Sequence, residues 1–223
     1  MANDISLPPL HKLIMAYARA SQKRGLELIF AMDNRFGEVV RSTTEPLIGQ
    51  MKLTWWSDAI EKPTSERPSG EPLIAEMALH GHLFEDSMLW DELIAGWSIL
   101  LDTGELDQSL MERYAKERGG ALFKLAALNS EHEVTENLAN LGKAWALWDL
   151  ARNVSDAKTA DLAFKLAQNH WKSGHSAKLN RRMRPISIIR KLIGEDIRQQ
   201  DFEHHLHSPR TAFLIISHGL LGI

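Results

Sequence analysis

The stretch LIFAMDNRFGEVVRSTTEPLIGQMKLTWWSDAIE, residues 28–61, decides the fold. Its apolar residues recur at helical spacing on both sides of Pro46, so it reads as two helices joined at that proline. The proline lacks an N–H, and the first turn of a helix is where that loss is harmless; Thr44 is placed to cap the second helix. Charge is thin: Asp33, Arg35, Glu38, Arg41, Lys52, Asp58 and Glu61 stand among apolar residues and the pair Trp55–Trp56. Asp33 and Glu38 are five apart and turn away from one another's face. Glu38 and Arg41, three apart, read as a surface ion pair worth a few tenths of a kcal/mol. Gly37 costs roughly 1 kcal/mol relative to Ala inside a helix, which points to close packing against a neighbour.

The rest of the chain carries the same period. Helices are expected near 9–20, 22–42, 45–62, 72–81, 86–101, 106–128, 133–154, 158–173, 186–204 and 209–220, with no convincing strand alternation. Pro8 and Pro9, just after Ser6, and Pro209, after Ser208, are start signals. Ser130 with Glu133 forms a capping-box pattern, a better start signal than Thr135. The segment EKPTSERPSGEP, residues 61–72, stops any helix, and the polar run 170–185 is a second break. The helices ahead of the break at 61–72 are too few for a core of their own, so one all-α domain over residues 1–223 is the expectation.

Composition narrows the function classes. The chain is 44% hydrophobic and 25% charged, with a formal net charge of −3. A nucleic-acid binder needs a basic excess that is missing here. Cysteine is absent, which removes disulfides, thiolate metal sites and a cysteine nucleophile. The start MANDISLPPLHKL shows no signal-peptide pattern, and no apolar run reaches the ~18 residues of a membrane span. A cytoplasmic protein is the default. Peripheral membrane contact, through the basic stretch 178–190 and the apolar C-terminal helix, is a further class.

Several constellations could carry chemistry. Asp149, Asn153 and Asp156 fall at spacings of four and three on one helical stripe, and such oxygen donors suit Mg²⁺. Arg152 beside them suits a phosphate oxygen. The plainer reading is solvated polar groups at a helix end, with Asp156 capping the next helix. Seven tryptophans can wall an apolar cavity or fill a core. The two glycines after Arg118 in ERGGALFKLAAL suggest a kink or close backbone approach. Residues 201–207, DFEHHLH, could hold a transition metal or sit at a helix end. No serine has an identifiable histidine partner.

Taken together these segments resemble the squalene/phytoene synthase family over most of the chain. LIFAMDNRFGEVV is similar to its first aspartate-rich helix and LGKAWALWDLARNVSDA to its second. EPLIGQMKLTWWSDAIE is the most specific match, through Glu45, Pro46, Gly49, Leu53, Trp55 and Trp56. ERGGALFKLAAL resembles the central glycine-containing helix and RRMRPISIIRKLIGED the late one. The resemblance implies an isoprenoid-synthase-type helical bundle around a central apolar cavity. In active members two aspartate motifs hold Mg²⁺ and grip prenyl diphosphates. Here the first motif falls on Gly37, Glu38 and Arg41, and the second on Asp149, Arg152, Asn153, Asp156 and Ala157. The residues left for metal are Glu38, Asp149, Asn153 and Asp156; those left for diphosphate are Arg41 and Arg152. No catalytic residue is assigned. This depletion implies a non-catalytic relative that binds an apolar or prenyl-type molecule or a protein partner. EPLIGQMKLTWW is similar to a branch that serves as assembly factors for respiratory NADH dehydrogenase. The alternative is a Mg²⁺-dependent prenyltransferase condensing prenyl diphosphates.

Overall fold

Proline and cap chemistry set the element borders much as the sequence places them. The computed structural model describes residues 5–68, 70–85, 87–101, 104–201 and 209–221, and among these there are helices and turns but no strand. The helices are α1 (Pro9–Met15), α2 (Ala20–Ser42), α3 (Pro46–Glu61), α4 (Pro72–Met77), α5 (Met88–Ser98), α6 (Gln108–Tyr114), α7 (Ala121–Asn129), α8 (Glu136–Asn153), α9 (Ala157–Gly174), α10 (Arg184–Gln199) and α11 (Pro209–Leu221). Between α3 and α4 the chain breaks, and the described residues there hold only the 3₁₀ turn Thr64–Glu66.

Three local expectations need correcting. Thr135, not Ser130, caps α8: its hydroxyl accepts from the Leu138 N–H, whereas Ser130 ends α7 and is buried. Glu45, not Thr44, precedes α3, and no side chain caps that helix. Region 106–128 is not one uniform helix, because a π-helical turn, Ala115–Gly120, separates α6 from α7. A π turn widens the helix by one residue per turn and re-aims the side chains it carries. Arg118 is one of them.

α8 is the axis of the bundle. Its buried residues, among them Leu138, Gly142, Trp145, Leu147 and Leu150, run round the helix instead of forming a stripe. A helix apolar on all sides belongs in a core. α9 packs along one side and the π turn along another. On that second side Gly119 and Gly142 face each other backbone to backbone: a Cβ on Gly119 would lie 2.1 Å from the Gly142 carbonyl oxygen. α10 is amphipathic and lays Ile186, Ile189 and Ile193 inward. The described residues share one hydrophobic core.

The Trp55–Trp56 pair splits as its spacing requires. Trp56 is buried edge-to-face against Phe36, while Trp55 joins Leu47, Ile48 and Met51 on the exposed face of α3. In the polar run after α9 Arg182 pairs with Glu131, and from α10 Arg190 donates to the Ala177 carbonyl at 2.7 Å. No helix among the described residues is long and apolar enough to cross a membrane. Residues 202–207 of the proposed histidine–carboxylate cluster lie outside the described residues.

Candidate functional site

Two carboxylates face one another across the bundle, and a guanidinium lies between them. Asp33 projects from α2 and Asp149 from α8; Arg118 reaches them from the π turn. Arg118 Nε and Nη2 donate to the two oxygens of Asp33 at 2.9 and 2.8 Å, and Nη1 donates to Asp149 Oδ2 at 2.7 Å. Nη1 also donates to the Tyr114 hydroxyl, and Trp97 Nε1 donates to Asp33 Oδ1 at 2.7 Å. The guanidinium carbon lies 4.1 Å from the centre of the Trp97 ring and 4.6 Å from that of Trp145. Arg118 and Asp33 are each 2% exposed.

The backbone is cut to admit this arrangement. A Cβ on Gly96 of α5 would sit 2.5 Å from the Arg118 nitrogen, so α5 and the π turn touch only because that position is glycine. Burial alone would disfavour the cation, but the carboxylates of Asp33 and Asp149 and the Tyr114 hydroxyl hold the Arg118 pKa well above its ordinary value. Burial likewise raises the Tyr114 phenol, so it stays protonated. Beneath the ion cluster, Phe30 and Phe123 pack on Trp145 with ring centres 6.0 and 5.7 Å away.

Of the residues singled out in the sequence, Arg41, Asp149, Asn153 and Asp156 line one pocket, whereas Glu38 and Arg152 are engaged elsewhere. Asp149 and Asn153 share the end of α8, where the Asn153 amide donates to the Asp149 carbonyl at 2.7 Å and to its Oδ1 at 3.2 Å. Asp156 lies beyond that helix and caps α9, accepting from Thr159 N–H at 2.8 Å and from its hydroxyl at 2.6 Å. Glu38 faces the opposite side of α2. Its partners are Asn34 at 2.8 Å and Arg35 at 3.5 Å, which corrects the expected pairing with Arg41. Arg152 is turned from Arg41 altogether: it donates to Asp196 at 2.8 Å and lies over the Trp148 ring. Burial lowers its pKa, and Asp196 opposes the shift.

Magnesium, which the resemblance implies for an active member, does not fit these donors as arranged. It demands near-octahedral oxygen geometry. Asp149 already accepts from Arg118 and Asn153, Asp156 is spent on a helix cap, and Glu38 lies on another face. Among the described residues no group of three or more histidines or carboxylates is poised to hold a metal.

What does open at this end is a pocket of about 470 Å³ between α2, α5, α6 and α8. Val40, Leu100, Leu106, Leu110, Leu150 and Val154 supply apolar wall, Trp97 and Tyr114 join it to the ion cluster, and Arg41 stands in its lining. Sequence reasoning missed Arg118 and Tyr114 and gave Asp33 no partner; the only signal was an arginine beside two glycines in an apolar segment. It also missed Ser187, which is buried on α10 at 2.7 Å from His218 Nε2 on α11.

His11, on α1, packs edge-to-face on Phe30 and keeps Nδ1 from water without a protein partner. Burial pushes its pKa below 6.5, Asp149 and Asp33 pull it back up, and Arg118 adds to the lowering. The folded state therefore binds fewer protons than the unfolded chain as pH falls through 6.5, so stability is lost on the acid side. Thermal midpoints at pH 7.5, 6.5 and 5.5 should fall stepwise. In His11→Phe the fall should be shallower, with the remainder carried by groups such as His80, which burial also lowers. An unchanged slope would mean that His11 is not held neutral.

A comparison with solved structures finds a dehydrosqualene synthase, crystallised in complex with a ligand, at a TM-score of 0.68. The match covers 93% of this chain and 89% of that one, at 11% sequence identity. That likeness establishes an all-α fold of isoprenoid-synthase type. No family model and no curated protein matches.

Proposed function

We propose that this chain is a non-catalytic member of the squalene/phytoene-synthase-like fold that holds an apolar small molecule in the pocket beside Arg41. The observation that carries this reading is Arg118. Ionising an allylic diphosphate requires positive charge delivered to the leaving group, ordinarily by divalent ions held from facing walls. In this chain the facing carboxylates, Asp33 and Asp149, are already neutralised by an internal cation that donates to both. That cation is locked in place by two indoles and cannot travel with substrate. The binding half of the architecture persists without the metal-recruiting half. A small molecule is favoured over a protein partner, including an assembly-factor role in respiratory complexes, because the pocket lies on the motif helices themselves.

The test is direct. Farnesyl and geranylgeranyl diphosphate, each incubated with Mg²⁺ and the purified chain, should yield no condensed hydrocarbon and no released pyrophosphate above a protein-free control. Turnover at ordinary enzymatic rates would establish the Mg²⁺-dependent prenyltransferase instead. Under that reading Asp149→Ala abolishes both turnover and Mg²⁺-dependent diphosphate binding.

A further inference from the structure

The geometry points to a specific ligand class for this pocket: an apolar chain ending in a single carboxylate, with the head on Arg41. This inference rests on the reading that the pocket is a ligand site. Its basis is the way α2 presents the arginine. A Cβ on Gly37 would lie 2.8 Å from Arg41 Nη1 and 2.7 Å from the Trp97 ring. The missing side chain thus creates the niche in which guanidinium and indole edge meet at the pocket wall. A glycine that weakens α2 is explained by what it makes room for.

Charge then selects the head group. Four ionisable side chains besides Tyr114 line the pocket: Arg41, Glu105, Asp149 and Asp156. Each acid is engaged, Glu105 with Lys158 at 2.7 Å, Asp149 with Arg118 and Asp156 with Thr159. Arg41 has no carboxylate partner among the described residues. A diphosphate would bring two or more negative charges to a lining in which Arg41 is the one cationic side chain among the described residues. A monocarboxylate brings one charge, and its two oxygens match the planar fork of a guanidinium. The volume falls within the ~300–1,000 Å³ of small-molecule sites, and the aliphatic wall suits an alkyl chain.

Calorimetric titration of decanoate, decanol and geranyl diphosphate with and without Mg²⁺, each kept below its aggregation limit, separates the cases. Decanoate should bind the wild type at least tenfold tighter than it binds Arg41→Gln, while decanol binds both alike. Leu106→Trp, which fills the pocket, should remove both ligands. The carboxylate assignment is overturned if decanoate gains nothing over decanol, if Arg41→Gln leaves it unchanged, or if geranyl diphosphate with Mg²⁺ binds tighter; the ligand pocket itself survives those results. If neither chain binds, or if Leu106→Trp leaves binding intact, the pocket reading falls as well.

Discussion

Arg118→Met should cost the fold about 3–5 kcal/mol, the range measured when one partner of a buried ion pair is removed. The methionine fills comparable space, so the loss is chiefly electrostatic. Asp33, 2% exposed, would keep only the Trp97 N–H as a donor, and Asp149 would face it with no cation between them. Two indole faces would also lose the charge they enclose, each cation–π contact contributing on the order of 1–2 kcal/mol when desolvated. Arg118→Lys should recover little, because one ammonium cannot reach both oxygens of Asp33 and Asp149 in the fork geometry. The decisive comparison is the double variant Arg118→Met/Asp33→Asn, which removes the stranded charge together with its partner. Denaturant unfolding should place it closer to wild type than Arg118→Met alone. If the single variant loses less than about 1 kcal/mol, Arg118 is not neutralising the facing carboxylates, and the proposed function loses its support.

How much of this was legible beforehand follows the range of each interaction. The helices came from local periodicity, and their borders from prolines and small polar residues, so α2, α3, α8 and α9 fall where the pattern puts them. Asp156 as a cap was legible too, since the bond spans three residues. Where two caps competed, the choice went wrong: Ser130 with Glu133 satisfied the pattern, but the turn after α7 carries Glu131 at a φ of 48° and delays the next helix to Thr135. The ion cluster was not legible. Arg118 and Asp33 are 85 residues apart, and Arg118 and Asp149 are 31 apart, so no periodic window contains them together. Aligning Asp149 and Asp156 on one helical stripe assumed that α8 continues past Asn153; it stops there, and the stripe ends with it. Arg152 and Arg41 were grouped through the family resemblance, yet α8 turns Arg152 toward Asp196 on α10. Periodicity placed the helices, and helix rotation decided which side chains could meet.

The two adjacent glycines of the π turn should respond to the same substitution with opposite signs. Gly119 lies tight against α8: an added Cβ would lie 2.1 Å from the Gly142 oxygen, 2.6 Å from its carbonyl carbon and 2.8 Å from the Ala146 Cβ. None of these atoms is the free end of a flexible side chain, so Gly119→Ala must push α8 and the π turn apart. Overpacking of this kind costs about 1–3 kcal/mol and occasionally more. The cost should sit at the high end here, because the displaced segment carries Arg118 and its bonds are directional. Gly120, one residue on, has nothing within 4 Å of its added Cβ and an ordinary helical φ of −61°. Gly120→Ala should therefore stabilise by roughly 0.4–1 kcal/mol, chiefly by restricting the unfolded chain. Thermal midpoints should move down for the first variant and up for the second. Equal shifts would mean that the bundle tolerates separation at α8, and that the close approach placing Arg118 between Asp33 and Asp149 is not what holds it there.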